Sequence, residues 1–261
     1  MQQVLVTGGA GALGRLVVAQ LVEAGYHVRI MSRHGAPGNL LPETEWAQAN
    51  LETGEGIARA VQGVDVIVHA ASSPFRHTQQ IDVDGTRRLL EQARTAAIAH
   101  LVYISIVGID RIPFGYYKCK LAAEDLVQQS DIPWSLLRAT QFHYLIDLIL
   151  RAATRFPLVT TLPTSLHFQP VAESEVAHRL REIVQSGPSG RFPDMGGPEV
   201  QTLGNLAQSW LSLRGMRRAL IPLWLPGQSA HGFRRGYNTC PEQAVGKIPW
   251  AEWVRQKYQR Q

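Results

Sequence analysis

Tyr116 and Lys120 stand four residues apart in Tyr116-Tyr117-Lys118-Cys119-Lys120, a spacing that places both side chains on one face of a helix. An ammonium beside a phenol favours the phenolate, so Lys120 is expected to lower the Tyr116 pKa toward a range useful for proton transfer. Tyr116 would then give a proton to a carbonyl oxygen as the carbonyl is reduced, or take one in the reverse direction. Outside a suitable fold, the same pair reads as an ordinary surface contact. Ser105, upstream at the end of the apolar run Leu101–Ser105, is a candidate helper hydroxyl, although which side of the strand it faces is open.

A second constellation lies at the start of the chain. Thr7-Gly8-Gly9-Ala10-Gly11-Ala12-Leu13-Gly14 follows the apolar Val4-Leu5-Val6 and opens an amphipathic run through Leu16, Val17 and Leu21. Strand, glycine turn and helix start in that order make a pyrophosphate cradle, because backbone without Cβ atoms can approach the phosphates and a helix N-terminus offers N–H groups. Gly8, Gly11, Ala12, Leu13 and Gly14 are its candidate residues. The second strand ends in Met31-Ser32-Arg33, where an acidic residue would grip the ribose hydroxyls of NAD. Ser32 and Arg33 suit a 2′-phosphate instead, so NADP is favoured over NAD. Asn50 and Leu51 end the third strand and are expected at the adenine. Ala70, Ala71 and Ser72 close the fourth, where small residues admit the cofactor. His69 reads as a satisfied histidine at the strand end rather than a catalyst.

The elements that must position these residues alternate. Strands are expected near Gln3–Thr7, Val28–Ser32, Trp46–Ala49, Val64–His69, Leu101–Ser105 and Trp134–Arg138. Helices are expected near Ala12–Ala24, Glu52–Val61, Val83–Ala97 and Tyr117–Gln129. That rhythm predicts an α/β fold, a doubly wound parallel Rossmann sheet, with a small C-terminal substrate lobe over the edge where such sheets bind ligands. The division is placed at 1–155 for the NAD(P)-binding Rossmann domain and 156–261 for the lobe, partly packed back on it. In the second part Pro157, Pro163 and Pro170 break regular structure around helices expected at Phe142–Arg155, Glu173–Gln185 and Thr202–Leu213. Gly190 to Pro198 is expected to be a loop, and Trp224, Trp250 and Trp253 to be apolar anchors. Phe142, His143, Tyr144, Phe168 and Trp224 read either as pocket walls or as core.

Bulk properties narrow the classes. The chain has 261 residues, 45% hydrophobic, with a net charge of +5. Residues 151–261 carry 14 Lys/Arg against 7 Asp/Glu, but these arginines are scattered without interleaved aromatics, so a solvated basic face is expected and not a nucleic-acid surface. Cys119 and Cys240 have no metal-ligand spacing, no metal site is expected, and no apolar run approaches a membrane span. With the first strand starting at residue 3, no leader segment and a cytoplasmic protein are expected. Oligomeric state is left open.

Together with Val64-Asp65-Val66-Ile67-Val68-His69-Ala70-Ala71, Asp82-Val83-Asp84-Gly85-Thr86, Tyr103-Ile104-Ser105 and Leu136-Leu137-Arg138-Ala139-Thr140-Gln141-Phe142, the glycine turn and the Tyr116–Lys120 pair resemble the short-chain dehydrogenase/reductase superfamily. The resemblance covers about the first 145 residues and is nearest to the atypical, NmrA-like NAD(P)H-binding group. It implies a nicotinamide dinucleotide, with Lys120 holding its ribose and Thr140, Gln141 and Phe142 near the nicotinamide. It also implies an oxidoreductase passing hydride between NADP(H) and a small carbonyl or quinone-like substrate, with Tyr116, Lys120 and Ser105 catalytic. Two positions depart from the family. Ile106 replaces a second serine, and Asn50 replaces an acidic residue. The alternatives are a non-catalytic NADP(H)-binding redox sensor or assembly scaffold, and an epimerase or dehydratase using the same residues.

Overall fold

The computed structural model describes residues 2–155 and 158–258; the expected breaker Pro157 and the first residue of the expected lobe, Phe156, lie outside them. In chain order the elements are β1 (Gln3–Thr7), α1 (Ala12–Glu23), β2 (His27–Ser32), β3 (Thr44–Gln48), α2 (Ile57–Val61) and β4 (Val66–His69). A π-helical turn (Gln79–Asp84) leads into α3 (Gly85–Thr95), β5 (His100–Ile106), α4 (Gly115–Gln128), β6 (Trp134–Ala139) and α5 (His143–Ala153). Then come β7 (Val159–Leu162), β8 (His167–Phe168), α6 (Glu173–Ser186), β9 (Gly190–Arg191), β10 (Gln201–Thr202) and α7 (Leu203–Leu213). The chain continues through β11 (Ala219–Pro222), α8 (Gln228–Arg234) and α9 (Trp250–Tyr258).

Seven strands form one sheet in the order β3-β2-β1-β4-β5-β6-β9, the expected doubly wound arrangement. The order reverses at β1, which pairs in parallel with β2 on one side (Val4↔Val28) and β4 on the other (Val4↔Val66). Val4, Leu5 and Val6 are fully buried, as a strand covered on both faces requires, which explains why they read as a continuous apolar run. A parallel sheet needs helical crossovers, and α1, α3 and α4 supply them.

The chain divides into two compact units. The first comprises residues 1–105, 115–137 and 176–192, and the second 106–114, 138–175 and 193–261. The core of the first includes Leu5, Ile57, Ile67, Leu89, Leu101, Val127 and Leu136. In the second, α5, α7 and α9 pack through Ile146, Leu150, Leu206, Trp210, Trp250 and Val254, with Trp250 donating its indole N–H to the Leu206 carbonyl at 3.0 Å. A fully buried Asp147 on α5 accepts from Trp210 at 2.8 Å, Lys257 at 2.8 Å and Tyr258 at 2.6 Å, tying α7 and α9 to it. Two small sheets, β7 with β11 and β8 with β10, complete this unit.

Four expectations are corrected. The helix expected from Glu52 begins only at Ile57, because Gly54 (φ +87°) and Gly56 (φ +79°) put left-handed turns in its path. The helix expected from Val83 is preceded by the wider π turn, after which Gly85 packs so close to Leu51 that a Cβ would lie 2.8 Å from the Leu51 Cβ. The expected loop at Gly190 contains the edge strand β9, whose two residues are too few to show a period. Trp224 is no anchor either. It is 68% exposed, with the Arg234 guanidinium 4.0 Å above its ring.

Candidate functional site

The glycine turn sits where β1 ends, at the reversal of strand order. Gly8 has φ +66°, and a Cβ on it would lie 2.8 Å from the Ala71 Cα, so the turn after β1 and the turn after β4 touch backbone to backbone. A Cβ on Gly14 would lie 2.1 Å from the Gly8 carbonyl oxygen, so only glycine lets α1 start this close to the turn. Gly11 is the N-cap of α1 and no side chain caps that end, although a capped start is the common pattern. Exposed Gly11, half-buried Ala12 and buried Leu13 and Gly14 therefore offer an anion the helix N–H groups themselves. This donor set suits a pyrophosphate.

At the end of β2, Arg33 is exposed: its Nε donates to the neighbouring His34 ring (3.2 Å) and its carbonyl accepts from Gln48 Nε2 (3.3 Å), while Ser32 Oγ accepts from His34 N at 3.3 Å. The Asn50 side chain is committed locally, its Oδ1 accepting from Glu52 N at 2.9 Å. Leu51 is buried in the core. After β4, Ala71 N–H donates to Thr7 Oγ1 at 3.2 Å. His69 is a satisfied core histidine: Nδ1 pairs with Thr7 Oγ1 (2.7 Å) and Nε2 with Thr86 Oγ1 (2.9 Å). Burial, with the Lys120 charge second, pushes its pKa down to about 3.

Tyr116, Ser72 and Asp82 meet in the first unit. Tyr116 Oη lies 2.8 Å from Ser72 Oγ, and Ser72 Oγ donates to Asp82 Oδ1 at 2.5 Å. The second Asp82 oxygen accepts from Ser73 N at 2.9 Å. Lys120 is buried, donates to the Ile104 carbonyl at 3.0 Å and lies 4.2 Å over the Tyr103 ring. Burial lowers its pKa, while Asp82 and Glu124 pull the other way.

The expectation that Lys120 would lower the Tyr116 pKa is overturned. Burial first and the Asp82 charge second push the phenol well above its ordinary value, and the Ser72 hydrogen bond opposes them. The lysine ammonium, directed at Ile104 and Tyr103, does not offset this. Ser105 is buried, and its hydroxyl has no hydrogen-bond partner among the described residues. The Ser72–Asp82 contact escapes a reading by spacing because it joins a loop to a π turn. The one trace of it is an acidic residue just before Gly85-Thr86.

Thr140, Gln141 and Phe142 belong to the second unit, where the first two are knitted into a buried polar network. Thr140 Oγ1 donates to the Gln169 carbonyl (2.5 Å), and Gln141 Oε1 accepts from Asn238 Nδ2 (3.0 Å). Phe142 bridges to Val171 and caps α5. His143 is fully buried beside the stacked rings of Trp250 (5.7 Å) and Trp253 (5.5 Å), and burial lowers its pKa to about 4. Phe168 is buried 5.7 Å from Phe233. These two are core, while Tyr144 and Trp224 are exposed. Among the described residues, no group of three or more His, Cys, Asp or Glu could hold a metal, and no helix is long and apolar enough to cross a membrane.

The structure is similar to that of the NADPH-dependent quinone oxidoreductase QOR2 from Escherichia coli, solved with NADPH (TM-score 0.81, 19% identity, 98% of this chain and 99% of that one). It is also similar to the UDP-glucose 4-epimerase of Thermus thermophilus, solved with NAD (TM-score 0.76, 19% identity, 97% of each). At these identities the likeness shows the fold. Among curated proteins, the photosystem II assembly factor Ycf39 of Trieres chinensis is 31% identical over 145 residues, 53% of this chain and 46% of that protein. The 3-beta-hydroxysteroid dehydrogenase of Mycolicibacterium neoaurum is 31% identical over 113 residues, 39% of this chain and 31% of that protein. The chain thus aligns with less than half the length of these curated relatives. The NAD(P)H-binding family matches residues 8–181, a span holding the glycine turn, Tyr116 and Lys120. In keeping with the resemblance to atypical short-chain dehydrogenases/reductases, the chain belongs to the NAD(P)H-binding family.

Proposed function

We propose that the protein is an NADP-dependent oxidoreductase acting between NADP(H) and a small carbonyl or quinone-like compound. The observation that carries this reading is Tyr116 on α4, its hydroxyl in a hydrogen-bonded chain, one helical turn from buried Lys120 in the unit that holds the glycine turn. The dinucleotide, when bound, supplies or accepts hydride. Gly8, Gly11, Ala12, Leu13 and Gly14 receive its pyrophosphate; Ser32 and exposed Arg33 take a 2′-phosphate; Asn50, Ala70 and Ala71 line the path between, with Leu51 packed in the core behind them. Lys120 holds the ribose. A phenol whose pKa is raised stays protonated at neutral pH, so Tyr116 acts first as a proton donor to an oxygen gaining charge. The QOR2 likeness favours a quinone-like acceptor.

The test is NADPH consumption by purified protein over a panel of carbonyls and quinones. At least one compound should be reduced, and Tyr116→Phe should abolish that turnover while sparing NADPH binding. Unchanged turnover in Tyr116→Phe would remove the assigned role. A second reading, a non-catalytic NADP(H)-binding sensor or assembly scaffold, is favoured by one finding, the 31% identity to a protein named an assembly factor. It expects different affinities for NADP and NADPH coupled to a protein partner, since a ligand shifts only states it distinguishes.

A further inference from the structure

The helper expected beside Tyr116 is absent from its place: Ser105 is buried with its hydroxyl unpartnered among the described residues, and Ile106 stands where a second hydroxyl would sit. A different hydroxyl touches the phenol. Ser72 Oγ lies 2.8 Å from Tyr116 Oη and 2.5 Å from Asp82 Oδ1. Serine carries a single hydroxyl proton, and an ionised carboxylate only accepts. The Ser72 proton therefore goes to Asp82, which leaves Ser72 to accept from Tyr116. Asp82 cannot swing away easily, because its other oxygen holds Ser73 N–H at 2.9 Å and the residue is buried. It sits in the π-helical turn Gln79–Asp84, a rare geometry that recurs at functional sites. Ser72 is exposed and Tyr116 half-buried, so a small molecule has access to this end of the chain of bonds.

We propose that Ser72 and Asp82 are positioning residues for Tyr116, forming a proton path from the phenol through the Ser72 hydroxyl to the Asp82 carboxylate. The proposal rests on the reading of Tyr116 as the acid/base group. When a substrate hydroxyl gives its proton to Tyr116 Oη, the former Tyr116 O–H bond breaks as a bond forms to Ser72 Oγ. The former Ser72 O–H bond breaks as a bond forms to Asp82 Oδ1. The O–H electron pair stays on the substrate oxygen, and one proton has moved in net from substrate to Asp82. In reduction each transfer runs the other way and starts from an Asp82 carboxyl that has first taken a proton from solvent. Asp82 gives it to Ser72 Oγ as the Ser72 proton passes to Tyr116 Oη and the Tyr116 proton to the substrate oxygen, which leaves Asp82 ionised. The path supplies from a loop and a π turn what Ile106 does not supply from β5.

The test needs no substrate and no cofactor. Protein labelled with carbon-13 at tyrosine Cζ is compared at neutral pH in the wild type, Ser72→Ala, Asp82→Asn and the double variant, with Tyr116→Phe identifying the Tyr116 signal. Asp82→Asn should shift that signal when Ser72 is present and leave it in place in the Ser72→Ala background. Such non-additivity is what a path through Ser72 requires. Equal shifts in both backgrounds, meaning a charge acting through space, or no shift in either, would overturn the path. Should Asp82→Asn not fold, Ser72→Thr keeps the hydroxyl and should hold the signal near its wild-type position while Ser72→Ala moves it; equal signals in these two variants would also overturn it. Failure of the underlying acid/base reading looks different: Tyr116→Phe would keep wild-type turnover while the Cζ coupling persisted.

Discussion

At the scale of single residues, the Tyr116 phenol and the Arg33 guanidinium decide most. Tyr116 is held protonated by burial and by the nearby Asp82 charge, against the pull of its hydrogen bond with Ser72. A base with so high a pKa does not titrate near neutrality, so the rate of reduction should show no limb from Tyr116 between about pH 6 and about pH 9. A pH–rate profile of any turnover found checks this, and a limb in that window that coincides with a titration of the Tyr116 Cζ signal would contradict it. Arg33 has its guanidinium exposed at the end of β2. Arg33→Ala should weaken NADPH binding by about 10- to 100-fold, the worth of a charge-assisted contact, and leave NADH nearly unchanged; calorimetry with both cofactors reads the difference.

At the scale of elements, the turn between β1 and α1 leaves no room for a side chain where the helix starts. Gly14→Ala should destabilise the first unit by about 1–3 kcal/mol and lower NADPH affinity, because a Cβ 2.1 Å from the Gly8 carbonyl forces α1 off the turn. Thermal unfolding with and without NADPH measures both effects. This turn was legible from residue types alone, since strand, glycine spacing and helix all point one way. The main strands were legible because most are apolar runs in a sheet covered on both faces, while the edge strand β3 has no buried residue. The Ser72–Asp82–Tyr116 contact was not, because it joins a loop, a π turn and a helix far apart in sequence. The shortened α2 was missed where Gly54 and Gly56 take left-handed conformations that an apolar count ignores. The facing of Ser105 was not legible, because alternation along β5 does not say which face holds polar partners.

At the scale of the whole molecule, buried histidines set the response to acid. Burial lowers the pKa of His69 to about 3 and of His100 and His143 to about 4, below the ordinary 6.5. In the unfolded chain these rings protonate as pH falls through 6.5, while in the folded protein they resist until about 3 to 4. Their contribution to stability is therefore fully present above pH 6.5 and is lost below it, by at most about 1.4 kcal/mol per pH unit for each ring. Denaturant midpoints at about pH 7 and about pH 5 should differ less in His69→Gln than in the wild type. An equal difference would contradict the depressed His69 pKa. The central claim is that the bound dinucleotide exchanges hydride with a substrate in a reaction whose proton comes from Tyr116. The most direct measurement follows deuterium from NADPH labelled at nicotinamide C4 into the new C–H bond of the product by mass spectrometry, over the carbonyl panel; with quinones, whose product O–H exchanges with water, loss of label from the cofactor is read instead. The account predicts label in the product with the wild type and none with Tyr116→Phe. NADPH that binds tightly and keeps all its label with every compound would contradict it.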